Sequence, residues 1–141
     1  MNTPILSAEP MTPALGSGPA ADAVDPTVLI LEDDVFIALD LEDMCEALGY
    51  GVVGPFASTS RAIDRIEAME STDLPHHALL DLDVVDGTSY GLAARLRALG
   101  VRVTFVTARN RNARRCHPEE SVLDKPLCSR ELSAHLTQPV S

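Results

Sequence analysis

Basic side chains are scarce in this chain of 141 residues: Lys plus Arg total 11 against 21 Asp plus Glu, a formal net charge of -10. So acidic a balance argues against sequence-independent binding to nucleic acid or to an anionic membrane, both of which depend on cationic surface. Long apolar runs are missing as well. No stretch approaches the roughly twenty residues that a membrane helix requires, and the amino terminus has no basic segment followed by an apolar one, as a secretory leader would. A cytoplasmic location is the expectation. Cysteine is limited to Cys45, Cys116 and Cys128, an odd number without the paired spacing of a zinc knuckle or a redox motif. His76, His77, His117 and His135 show no ligand spacing with them, and the adjacent Cys116 and His117 suit a single tetrahedral ion poorly. The thiols therefore read as reduced, and zinc is not expected.

The length suits one domain with a sizeable core and little spare chain. Residues 1–26 carry Pro4, Pro10, Pro13, Pro19 and Pro26 among Ala, Gly and Ser, which breaks any regular pattern and predicts a disordered arm. The domain is expected over residues 27–137, with 138–141 as a tail.

Within it, apolar periodicity alternates between two signatures. VLIL, from Val28, is a short uninterrupted β-forming run, as expected of a strand covered on both faces. Ile37, Leu41, Met44 and Leu48 then recur at helical spacing, and Gly49 marks the stop. The pattern repeats: YGVVG as a strand, STSRAIDRIEAME as a helix presenting Ile63, Ile66 and Met69, and HALLDLD as a third strand. Leu92, Leu96 and Leu99 mark the next helix, closed by Gly100, before the strand VRVTFVT; SVLD and RELSAHL supply a fainter last pair. Between those last two strands, residues 109–120 hold Arg109, Arg111, Arg114 and Arg115 but almost no apolar stripe, so the fourth helix is expected to be short or irregular. Alternating strands and helices with short connections predict an α/β fold, a doubly wound parallel sheet of five strands with helices on both faces.

Such sheets gather chemistry beyond the carboxyl ends of their strands. Glu32 and Asp33 follow the first strand, Asp81 and Asp83 the third, Thr107 ends the fourth and Lys125 follows the fifth, so residues far apart in sequence should share one edge. Two carboxylates about 4 Å apart repel by roughly 4 kcal/mol at an effective dielectric near 20, so the cluster calls for a proton or a cation. Magnesium suits hard oxygen ligands of this kind. Lys125, the sole lysine, is placed to pair with Asp81 and, after transfer, with a phosphoryl oxygen. Asp34 reads as a helix N-cap rather than a ligand.

VLILEDD, LLDLD, FVTA and LDKP, in that order over residues 28–136, resemble the receiver domain of response regulators. The resemblance implies the flavodoxin-like (CheY-like) strand order 2-1-3-4-5, Asp81 as phosphoryl acceptor, and Asp33 as direct magnesium ligand. It also implies Glu32 acting through water, the backbone carbonyl of Asp83 completing the protein ligands, Thr107 and Lys125 on the phosphoryl group, and Ala108 leaving room beside it. The implied partners are a histidine kinase or histidine phosphotransfer protein and an unidentified downstream protein. The domain would catalyse only its own phosphorylation and dephosphorylation and is expected to stand alone; a DNA-binding regulator is disfavoured because no helix-turn-helix segment follows the last helix. Two positions depart from the pattern: VVDGTS replaces the more usual proline-containing turn, and Val122 stands where receivers commonly carry an aromatic switch residue. FVTA partly matches an atypical subgroup whose motif reads Phe-Ala-Thr-Gly.

Two other functions compete. A haloacid-dehalogenase-like phosphatase shares an aspartate before a later threonine and lysine, but places its acidic pair after the lysine, whereas Glu32 and Asp33 come first. A phosphorylation-independent binding module on the same fold would be marked by loss of the acceptor, the metal acid or the lysine, and all three are present.

Overall fold

The structure, a computed structural model, describes residues 26–84, 86–107 and 122–137. The expected arm up to residue 25, Ala108, the arginine-rich segment with its weak helix, Cys116, His117 and the tail lie outside the described residues. The elements are β1 (Thr27–Leu31), α1 (Val35–Ala47), β2 (Gly51–Phe56), α2 (Thr59–Glu67), a 3-10 turn (Ser71–Asp73), β3 (His77–Asp81), β4 (Asp83–Val84), β5 (Gly87–Thr88), α3 (Tyr90–Ala98), β6 (Arg102–Thr107), β7 (Val122–Asp124) and α4 (Ser129–Leu136). Five strands form a parallel sheet in the order β2-β1-β3-β6-β7, the predicted α/β architecture and strand order.

Successive residues of a strand face opposite sides of the sheet, so an all-apolar strand feeds two layers at once. Leu29, Leu31, Ala78, Leu80, Val103 and Phe105 pack with Ala62 and Ile66 of α2 and Leu92, Ala93 and Leu96 of α3. Their neighbours Val28, Ile30, Leu79 and Val106 pack on the other side with Leu41 and Cys45 of α1 and Leu132 and Leu136 of α4. The uninterrupted runs VLIL and HALL are thereby explained, since neither face of β1 or β3 reaches water. Burial pushes the Cys45 thiol up to about 11, with Glu46 adding to the effect, which keeps it protonated at neutral pH.

Local chemistry sets the helix ends. Asp34 Oδ1 accepts from the backbone N–H groups of Phe36 at 2.9 Å and Ile37 at 3.2 Å, the predicted N-cap. Gly49, at φ 94, turns the chain out of α1 through the left-handed region. The predicted stripes run to or just past the helix ends: Leu48 and Leu99 are the C-caps of α1 and α3, Met69 lies beyond the Ala68 C-cap of α2, and Leu99 is 49% exposed. Each stripe continues in sequence where its helix has already ended.

The segment VVDGTS also turns out differently from a simple loop. β4 and β5 pair antiparallel, Asp83 with Thr88 and Val84 with Gly87, forming a small hairpin directly after β3. Gly87 has φ 123, which only glycine adopts without strain.

Candidate functional site

β1 and β3 are neighbours at the centre of the sheet, and connections leave them toward opposite sides, the point at which an open parallel sheet leaves a crevice. Their carboxyl ends carry the acids. Oxygens of Glu32, Asp33 and Asp81 lie within 4.8 Å of one another. Glu32 is 3% exposed and Asp81 8%, burial that is rare for carboxylates without a partner.

The acidic triplet divides its work. The Glu32 backbone N–H donates to Phe56 O at 2.9 Å, tying the end of β1 to β2, while its Oε2 accepts from the Asp34 N–H at 3.1 Å. Asp34 faces away as the cap of α1, and Asp33, half-buried, turns toward the cluster.

Lys125 arrives from the other end of the sheet. Its backbone N–H donates to Thr107 O at 3.0 Å, and Thr107 pairs in register with Asp124, so β6 and β7 together set where the side chain starts. Its Nζ lies 2.6 Å from Glu32 Oε1 and 3.4 Å from Asp81 Oδ2. The expected Lys125–Asp81 pair is present, but the shorter contact is with Glu32, the more deeply buried of the two acids. The Lys125–Glu32 contact is an ion pair largely withdrawn from water, the ammonium side chain 13% and the carboxylate 1% exposed.

Charge is therefore in excess: three carboxylates face one ammonium. Burial, then the Glu32 carboxylate, pushes the Asp81 carboxyl up from 3.8 to about 7, with Lys125 pulling back less than those two push. Lys125 is held above its usual range; burial opposes its charge, but Glu32 and Asp81 beside it prevail. Three carboxylates whose oxygens lie within 4.8 Å of one another, with a single ammonium beside them, form a donor set that a hard divalent cation fits. Among the predicted residues the structure thus brings Glu32, Asp33, Asp81 and Lys125 together. Thr107 is buried at the end of β6, which pairs with β3, Asp81 lying opposite Val106. Asp83 opens β4 two residues after Asp81. Val122 is buried among the α2 and α3 layer.

Two polar arrangements were not foreseen. Asp86, at the hairpin tip, accepts from Thr59 N at 3.0 Å, Thr59 Oγ1 at 2.7 Å and Ser60 N at 3.1 Å, all at the start of α2. At the opposite end of the sheet His77 Nε2 lies 3.0 Å from Thr104 Oγ1, which lies 2.7 Å from His135 Nε2. The DG pair and the turn-forming VVDGTS signalled the bend at Asp86; nothing local signalled a partner 27 residues away.

No protein-family model matches the chain. The Phyllosphere-induced regulator PhyR of Methylorubrum extorquens is 36% identical over 84 residues, 57% of this chain and 30% of that protein. The chain thus spans less than a third of that curated relative's length. Among solved structures, SdrG from Sphingomonas melonis Fr1 superposes with a TM-score of 0.67 at 27% identity, over 79% of this chain and 92% of that one. The receiver (REC) domain of the Erythrobacter litoralis PhyR response regulator gives 0.64 at 26% identity, over 86% and 99% respectively.

Proposed function

We propose that this chain, which has the receiver fold of the response regulators and resembles the PhyR type among them, accepts a phosphoryl group on Asp81 beside a bound magnesium ion. One observation carries the reading: Asp81, the last residue of the central strand β3, is buried against two carboxylates and the chain's sole lysine. Structural acids seldom collect so much uncompensated charge at a strand end.

The donor would be a phosphohistidine on a kinase or phosphotransfer protein. An Asp81 carboxylate oxygen attacks phosphorus in line; the oxygen–phosphorus bond forms as the phosphorus–nitrogen bond breaks, and the leaving imidazole takes up a proton. Attack requires the ionised carboxylate, and a carboxyl at about 7 is only half ionised at neutral pH. Bound magnesium would supply the charge neutralisation that favours that form and the screening of phosphoryl oxygens, held by Asp33 and Asp81, the Asp83 carbonyl, and Glu32 through water. Lys125 contacts both Glu32 and Asp81, and it would give its contact with Asp81 to a phosphoryl oxygen. The Thr107 hydroxyl would accompany it. Water later cleaves the acyl phosphate, which makes the mark temporary.

Output would run through protein contacts. Val35, Phe36 and Leu39 of α1 are 65%, 83% and 51% exposed and begin two residues after Asp33, so an apolar patch adjoins the site. Among the described residues no helix is long and apolar enough to cross a membrane. The reading puts the chain in the cytoplasm with its kinase.

The test is labelling by a small phosphodonor such as acetyl phosphate, with and without magnesium, on wild type and Asp81→Asn. Magnesium-dependent, acid-labile label on wild type alone supports the reading. Equal labelling of both proteins discards Asp81 as the acceptor, and no label on either leaves the phosphorylation-independent binding module in its place.

A further inference from the structure

A divalent ion in this site would need a backbone oxygen held still in the stretch just after β3, yet that stretch is an isolated two-stranded hairpin. A hairpin of two residues per strand has no stability of its own in water. Two anchors hold it. At its base, buried Ser89 donates its N–H to Leu82 O at 3.0 Å, and its hydroxyl reaches the same oxygen at 3.4 Å. At its tip, the Asp86 carboxylate accepts the three hydrogen bonds from Thr59 and Ser60.

Thr59 and Ser60 are the first two residues of α2, whose N-cap is Ser58. The opening N–H groups of a helix have no partner within it, and an anionic acceptor there is favoured by both hydrogen bonding and the helix dipole. Of the opening backbone N–H groups the Ser58 hydroxyl accepts that of Arg61, at 3.4 Å, and Asp86 accepts those of Thr59 and Ser60. These bonds hold the Asp86 carboxyl below the usual aspartate range, the Thr59 hydroxyl contributing most. It therefore stays ionised and attached across neutral and mildly acidic pH.

We propose that Asp86 is a positioning residue for the cation site: by fastening the hairpin tip to the first turn of α2, it fixes the Asp83 backbone carbonyl where a divalent ion requires it. The inference rests on the magnesium-dependent reading above. It assigns Asp86 no contact with ion or phosphoryl group; its action passes through the backbone of the hairpin, and rigid α2 serves as the mount.

The experiment measures magnesium binding directly, by calorimetry and by amide shifts in NMR titrations of the full chain, alongside acetyl phosphate labelling and thermal melting. Wild type is compared with Asp86→Ala, Asp86→Asn and Thr59→Val. Loss of a residue that orients a ligand typically weakens metal affinity roughly tenfold or more. Asp86→Ala is expected to raise the magnesium dissociation constant by about tenfold, with the labelling rate at saturating magnesium within about twofold of wild type. Asp86→Asn, with one acceptor oxygen left, should fall between. Thr59→Val keeps every charge and removes one hydrogen bond, so a rise of about threefold separates geometry from the mere loss of a negative charge. An unchanged constant in Asp86→Ala, with or without a lower melting temperature, overturns the proposal. So does a rise confined to the two Asp86 variants that disappears in high salt. Wild type that binds magnesium without being labelled defeats the phosphoryl-acceptor function and leaves the positioning role standing, whereas wild type that binds no magnesium defeats both.

Discussion

Replacing Asp81 by Asn should stabilise the metal-free protein, and by an amount that depends on pH. Burial and the Glu32 carboxylate push the Asp81 carboxyl up from 3.8 to about 7 in the folded chain, and one pKa unit is worth about 1.4 kcal/mol, so a folded protein with ionised Asp81 carries about 4 kcal/mol of strain. The sign follows from proton counts. A carboxyl whose folded pKa is raised holds its proton longer when folded, so its contribution is most favourable below 3.8 and is lost progressively as pH rises to about 7. At pH 8 nearly the full penalty applies; at pH 5 less than half of it remains, because Asp81 is protonated in the folded chain while the unfolded chain is already ionised there. The advantage of Asp81→Asn should therefore shrink by about 2 to 3 kcal/mol from pH 8 to pH 5. The lost contact with Lys125 offsets the absolute gap but acts at both pH values, so the pH dependence is the cleaner readout. Urea unfolding in EDTA suffices: at typical slopes for a small domain, the midpoint difference between variant and wild type should change by about 1 to 2 M between the two pH values. A difference that stays constant with pH, or grows toward acid, would refute the assignment of Asp81 as a buried, charge-crowded carboxyl.

Magnesium should reverse this strain in wild type: at a concentration about a hundredfold above its dissociation constant it would add about 2.7 kcal/mol of stability, seen as a higher melting temperature that EDTA abolishes and Asp33→Asn never shows. His77 should act in the opposite pH direction. Buried at 3% exposure, with Arg102 and then His135 adding to the effect of burial, it is lowered from 6.5 to about 4, so the folded state holds fewer protons and stability falls as pH drops from 6.5 toward 4. Between pH 7 and pH 5 wild type should lose about 2 kcal/mol more than His77→Gln, a comparison in which Asp81 is common to both; equal losses would contradict it. Asp34→Ala should cost about 1 kcal/mol in chemical unfolding through the lost cap of α1, and Asp34→Ser should restore most of it.

Much of the fold could be read because its apolar residues obey two periods without ambiguity. VLIL and HALL could only be strands covered on both sides, and Ile37, Leu41 and Met44 only a helix face. The grouping of Glu32, Asp33, Asp81 and Lys125 was legible for a topological reason: in a parallel sheet every strand delivers its last residue to the same edge. What stayed hidden depended on partners remote in sequence or on where an element stops. Leu99 keeps the helical period but lies one residue beyond Ala98, and periodicity alone does not tell that it is exposed. Residues 83–88 show no alternation long enough to announce a hairpin, and the Asp86 bridge joins side chain to backbone across 27 residues. The closer approach of Lys125 to Glu32 than to Asp81 is likewise a matter of side-chain placement that no local pattern encodes.

The alternation of β3 between two apolar layers bears on where the acceptor oxygen can sit. Ala78 and Leu80 belong to one layer and Leu79 to the other, while the strand is locked to Ile30 and Leu31 on one flank and to Phe105 and Val106 on the other. A slip by a single residue would exchange the layers and put every one of these side chains on the wrong side. Hydrocarbon thus acts as the ruler that sets the depth of Asp81, and the polar groups around it inherit a location they did not choose. Loops, caps and surface charges can drift through many substitutions while that coordinate holds, and a single indel between His77 and Asp81 would erase it.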